Sequence, residues 1–305
     1  MILQNLHQPA YNATLMGVLI GALRHYGSPV SDAWAYGASG HAFVMNIHTE
    51  LCPSGPYCWN RAGFNALARN LGVVITDLGY FDTGSAPDER RRVEAQLVAA
   101  LDAGSPCALV NMEYQLICGY DDSGFITAPI WPAPHAMPAH LTYGTWSELG
   151  GEVHVNYLTL RRVDPAVERQ AAVDSLRYAV DLYRNSARHT EEGYAVGAGA
   201  WDHYIGAVRN GYGASHGNWW NGVVWSECRA MAATWLEEVG VRFPIVRRDA
   251  VALAQDYRTV AEALGQASVK EMEAAPKIAL LERAAALESE CVGQLATLAD
   301  TLETP

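Results

Sequence analysis

The chain has 305 residues, about twice the usual domain length, so two domains are expected. Half of the residues are hydrophobic and 18% are charged, which supports packed cores and excludes a disordered polymer. A net charge of −12 argues against a nucleic-acid partner, because phosphate binding needs clustered Lys and Arg.

The elements read as follows in chain order. Asn12 is placed to cap a helix that runs through Leu15, Leu19 and Leu23 and stops at Gly27. The apolar run Leu15–Leu23 is too short to span a bilayer, and no Lys or Arg precedes it, so neither a membrane partner nor a signal peptide is expected. Ala42–His48 alternates as a short strand, Asn60–Asn70 reads as a helix and Val73–Thr76 as a strand. Pro87–Ala103 is a helix with Asp88 and Glu89 in its first turn and Gly104 after its end. Two apolar strands, Ala108–Met112 and Tyr114–Tyr120, lead to the turn Asp121-Asp-Ser-Gly and a return strand Phe125–Thr127. Four prolines between 129 and 140 mark a loop, and Val153–Leu160 alternates as a strand. From there the spacing is helical: Pro165–Ser186, Glu191–Arg209, Val223–Val239, Arg247–Leu264 and Lys270–Glu303. Between the second and third of these, Asn210–Gly222 is rich in Gly, Asn and aromatics and reads as a loop. The expectation is an α+β domain over 1–164 and an all-helical domain over 165–305.

Six scattered cysteines form no CxxC pair, so neither a zinc site nor a disulfide framework is signalled, and a cytoplasmic protein with reduced thiols is expected. His135 and His140 lie in the proline-rich loop, where no helix fixes their spacing, so no metal and no cofactor is expected.

The stretch Glu113-Tyr-Gln-Leu-Ile-Cys-Gly-Tyr-Asp-Asp-Ser-Gly-Phe-Ile-Thr-Ala-Pro resembles the central hairpin of papain-like cysteine peptidases of the bacteriocin-processing (C39-like) type. Gln8, Thr14 and His25-Tyr26-Gly27 keep the spacing of that family's first helix. Over nearly its whole length the chain looks like proteins carrying the N-terminal domain of butirosin-biosynthesis protein H joined to a helical C-terminal domain. The resemblance implies a papain-like fold. It also implies that Thr14 stands at the nucleophile's place in the first turn of the first helix, Glu113 at the histidine's place at the start of a facing strand, and Gln8 at the oxyanion donor's place. The third member's place falls on Ala128. In such a site a helix N-terminus and an imidazolium stabilise a thiolate. A threonine hydroxyl has no such acidity, and a carboxylate is a poor base for it. Thr14 is therefore read as a satisfied hydroxyl, and peptidase activity is expected to be absent or very weak.

A second constellation is Gly40-His41-Ala-Phe before the Ala42–His48 strand and Leu51-Cys52-Pro-Ser-Gly-Pro after it. His41 and Cys52 read either as base and nucleophile or as a pocket wall. The tryptophans supply a third signal. Trp131, near the prolines, and His216, Trp219 and Trp220, in the 210–222 segment, read as ligand-binding residues along with Asn12. Glu288 and Glu290 read as a solvated helix face. Three functions follow. The first is a degenerate papain-like protein that binds a small molecule or peptide in an interdomain cleft. The second is an acyltransferase or amide or thioester hydrolase using Cys52 or Thr14. The third is a scaffold whose helical part forms a homo-oligomer.

Overall fold

The computed structural model describes residues 1–82, 84–128, 130, 139–144 and 154–304. In chain order its elements are α1 (Thr14–His25), α2 (Asp32–Ala38), β1 (Ile47–His48), α3 (Ala62–Asn70), β2 (Val73–Asp82) and α4 (Pro87–Asp102). The strands β3 (Cys107–Asn111), β4 (Glu113–Tyr120), β5 (Gly124–Thr127), β6 (His140–Thr142) and β7 (His154–Arg162) follow. The remainder comprises α5 (Glu168–Arg184), β8 (Tyr194–Ala195), α6 (Ala198–Arg209), α7 (His216–Arg242), α8 (Arg247–Ala267) and α9 (Ala274–Glu303). The class is mixed α+β, with a six-stranded sheet and a helical C-terminal region.

The chain forms two compact units, and they do not follow a single cut at residue 164. The first comprises Met1–Val30 with Leu71–Pro165, and the second Ser31–Asn70 with Ala166–Pro305. Residues 31–70 thus join the C-terminal helices. Periodicity shows that a segment has an apolar face but not which partner covers it.

In the first unit the sheet runs in the order β2-β7-β3-β4-β5-β6, every neighbouring pair antiparallel. The β3 strand is buried along its whole length, the mark of a strand covered on both faces. Helix α1 packs on β4, and Thr14 to Leu23 are buried without interruption. Two glycines let the preceding segment lie against this helix. A Cβ at Gly17 would stand 2.7 Å from the Pro9 carbonyl oxygen, and one at Gly21 would stand 2.6 Å from that of His7. This close approach places Gln8. The cap expected from Asn12 falls one residue later, on Ala13, whose side chain makes no capping bond. At the β3–β4 turn, Met112 takes a left-handed φ of 66° and sets Glu113 opposite Asn111.

In the second unit α7 packs against α2 and α8, and α9 against α5, α6 and α8. The expected strand Ala42–His48 is a 3-10 turn at His41–Phe43 followed by the two-residue β1, which pairs with β8. The reason is a side chain: Arg229 donates from Nη1 to the carbonyls of Ala42 (2.9 Å) and Val44 (2.8 Å), where a strand neighbour would otherwise bond. The expected helix 191–209 is shortened to α6, with Gly193 and Gly197 at positive φ before it. Most of the expected 210–222 loop is instead the start of α7, capped by Ser215, whose Oγ accepts from the Asn218 amide at 3.0 Å. Trp131 and most of the proline-rich stretch lie outside the described residues.

Candidate functional site

The first unit brings together Gln8, Thr14 and Glu113, the three residues that the resemblance singles out. Thr14 is the first residue of α1 and is 1% exposed. Its hydroxyl donates to Glu113 Oε2 at 2.7 Å and accepts from the Tyr114 amide at 3.0 Å. Glu113 opens β4 and is half-buried. Gln8 is buried and lies along the same strand. Its Nε2 donates to the Tyr114 carbonyl at 2.8 Å and, at 3.5 Å, to that of Thr14, while its Oε1 accepts from the Leu116 amide at 2.7 Å.

A hydroxyl against a carboxylate has the geometry of a nucleophile and a base. The chemistry differs for three reasons. Thr14 has almost no exposed surface for a substrate to reach. The Gln8 amide nitrogen already bonds to a backbone carbonyl, whereas an oxyanion donor must aim at the reacting oxygen. The residue at the orienter's place, Ala128, contributes a backbone N–H to the Leu116 carbonyl at 2.9 Å and has no polar side chain. The Thr14 hydroxyl is satisfied, but by β4 rather than by the helix carbonyl a buried threonine commonly uses.

The second unit separates His41 from Cys52. His41 is enclosed by the rings of Tyr36, Trp59, Phe64 and Trp225, with centroids 5.7–6.4 Å away. Its Nδ1 lies 3.5 Å from the sulfur of Cys228, not of Cys52. Burial first, and then the charge of Arg229, drive its pKa down to about 3. The ring is therefore neutral near pH 7, and burial holds the Cys228 thiol well above its ordinary value. Cys52 is half-buried and meets Ser54 instead, with Sγ 2.7 Å from Ser54 Oγ, which is itself 2.6 Å from the Tyr194 hydroxyl.

The aromatic pair divides in the same way. Trp220 is 7% exposed and donates from Nε1 to the Tyr57 hydroxyl at 3.1 Å. Trp219 is 38% exposed. It borders an open depression of about 460 Å³ with His216, Ser268, Val269, Lys270 and Glu271. The His216 ring lies 5.2 Å from that of Trp219, and the Lys270 ammonium stands 5.8 Å over it. These partners all belong to the second unit.

No protein-family model matches the chain, and no curated protein matches it. Among the described residues no three His, Cys, Asp or Glu side chains converge as a metal would require, and no helix is long and apolar enough to cross a membrane.

Several residues of consequence gave no sequence signal. Glu288, expected on a solvated face, is fully buried, accepts from Trp201 Nε1 at 2.9 Å and lies 2.7 Å from Arg229 Nε. That last contact is off the line of a hydrogen bond and acts as a charge pair. Lys277, also fully buried, donates to the carbonyls of Gly213 and Val269, fixing the two segments beside the depression. An i, i+3, i+4 apolar count treats such residues as the polar face. Only the tertiary partners show that they are inside.

Proposed function

We propose that the protein is a ligand-binding protein of papain-like layout that performs no peptide hydrolysis. The observation that carries this reading is the saturation of Gln8 and Thr14 by β4: the groups that would attack a carbonyl and hold its oxyanion are engaged with the strand. The antiparallel sheet, and a helix N-terminus meeting the first residue of a strand, support the papain-like layout.

The ligand belongs at the Trp219 depression. A partly exposed indole offers an apolar wall, and Lys270, His216 and Glu271 offer polar partners at its rim. The ligand that fits is a small molecule or peptide side chain with a flat apolar part and an anionic or hydrogen-bonding group. The aromatic sulfonate 8-anilinonaphthalene-1-sulfonate is a suitable probe. It should quench tryptophan emission on binding, and Trp219→Ala should weaken that binding by about 1–3 kcal/mol, the usual cost of truncating a contact aromatic. Lys270→Ala should weaken it less. Unchanged affinity in both variants would remove the depression from consideration.

A further inference from the structure

The segment between β1 and α3 carries two cysteines that the ligand site does not use. It folds as successive tight turns. The Gly55 amide bonds to the Cys52 carbonyl at 3.3 Å, and the amides of Tyr57 and Cys58 both bond to the Ser54 carbonyl, at 2.9 and 3.0 Å. Each end of the loop is pinned by a buried amide. Asn221 of α7 donates to the Cys52 carbonyl at 3.0 Å, and Asn46 donates to the carbonyls of Gly55 (2.9 Å) and Cys58 (2.8 Å). The loop also lies directly on α7, where a Cβ at Gly217 would collide with the Leu51 carbonyl oxygen.

This folding turns both sulfurs toward one hydroxyl. Cys52 Sγ lies 2.7 Å from Ser54 Oγ, and the Cys58 thiol interacts with the hydroxyls of Ser54 and Tyr194. Cys52 and Cys58 are both half-buried, whereas Cys107, Cys228 and Cys291 are buried. Ser54 Oγ is thus a neighbour shared by the two sulfurs.

We propose that Cys52 and Cys58 are a redox-sensitive pair, a modification site that closes to a disulfide when the protein meets a small hydroperoxide. Cys52 is the attacking thiol. Its sulfur takes one peroxide oxygen, the O–O bond breaks, and water leaves with the thiol proton, giving a sulfenic acid. The Cys58 sulfur then displaces the sulfenic hydroxyl, the S–S bond forms, and a second water leaves with the Cys58 proton. Two thiols lose two electrons, and hydrogen peroxide is reduced to two waters. Burial keeps the Tyr194 phenol protonated, so it can donate to Ser54, and Ser54 can donate in turn to the sulfur of Cys52.

The sequence makes the test direct, because no Lys or Arg lies between Arg24 and Arg61, so one tryptic peptide holds Cys52 and Cys58 and no other cysteine. The folded, reduced full-length protein is treated with hydrogen peroxide, quenched with N-ethylmaleimide and digested without reductant. The peptide should be recovered unalkylated and about 2 Da lighter than its reduced form, the loss of two hydrogens. Cys52→Ser and Cys58→Ser should each abolish that species, while Cys118→Ser should leave it unchanged. Recovery of the wild-type peptide with two maleimide adducts, with a sulfinic acid at Cys52, or bridged to another cysteine would overturn the proposal. So would closure seen only after unfolding in urea.

Discussion

Both units contain a hydroxyl hydrogen-bonded to a potentially reactive partner, and they differ in what remains after the bonds are made. In the sheet unit, Thr14, Gln8 and the start of β4 form a buried cluster whose partners are largely backbone groups of one strand. In the helical unit, Cys52, Ser54 and Tyr194 bond side chain to side chain and are half-buried, and Trp219 keeps an open face. Backbone partners fix a side chain in place and use its hydrogen-bonding capacity. Half-exposed side chains keep some capacity for a ligand or reagent. The side chains of the Thr14–Gln8 cluster are engaged with one strand, while the half-exposed side chains lie in the helical unit.

The largest expected effect tests the rigidity of the helical unit. Arg229 and Glu288 are each about 1% exposed, and Arg229 holds the carbonyls of residues 42 and 44. Glu288→Ala leaves the guanidinium buried without its counter-charge and should cost about 3–5 kcal/mol. Urea unfolding measures it. A loss below 1 kcal/mol, the range of a surface pair, would mean that water reaches the site.

His41 gives the next effect. Its folded pKa, about 3, lies below the ordinary 6.5, so the unfolded chain takes up the proton first. Its contribution to stability is complete above pH 6.5 and is lost as the pH falls toward 3. The slope should approach about 1.4 kcal/mol per pH unit for this one group. His41→Phe should flatten the urea-midpoint profile between those pH values, and an unaltered profile would place the ring in contact with solvent.

The sheet unit supplies the smaller effects. Gln8→Ala orphans the Tyr114 carbonyl and the Leu116 amide and should cost about 1–3 kcal/mol for each group that water does not reach. Thr14→Val removes the bonds to Glu113 and Tyr114 and should cost about 1–3 kcal/mol, whereas Thr14→Ser should be nearly neutral. If both Thr14 variants were equally stable, the hydroxyl would not hold the strand.

How much of this was legible varied with the range of the signal. The meeting of Thr14 and Glu113 was an expectation of the family resemblance, whereas the helix start and the strand start themselves are local features carried by nearby residues. The Pro87 helix and the hairpin through Asp121–Gly124 were legible for the same reason. Segment 31–70 was assigned to the wrong neighbours, since an apolar pattern does not name its partner. The start of α7 was hidden because glycines and asparagines outweighed the Ser215 cap. His41 looked like a partner for Cys52 from its place in the chain, yet four aromatic rings and Cys228, distant in sequence, define its surroundings.

The most direct test of the central claim is acylation of Thr14. The protein is mixed with p-nitrophenyl acetate or a peptide thioester, and the N-terminal tryptic peptide ending at Arg24 is followed by mass spectrometry over a single turnover. The account predicts no acyl group on Thr14, and hydrolysis rates that Thr14→Val and Glu113→Gln leave unchanged. A burst of Thr14 acylation that disappears in Thr14→Val and is slowed by Glu113→Gln would contradict it and make the pair a working nucleophile and base.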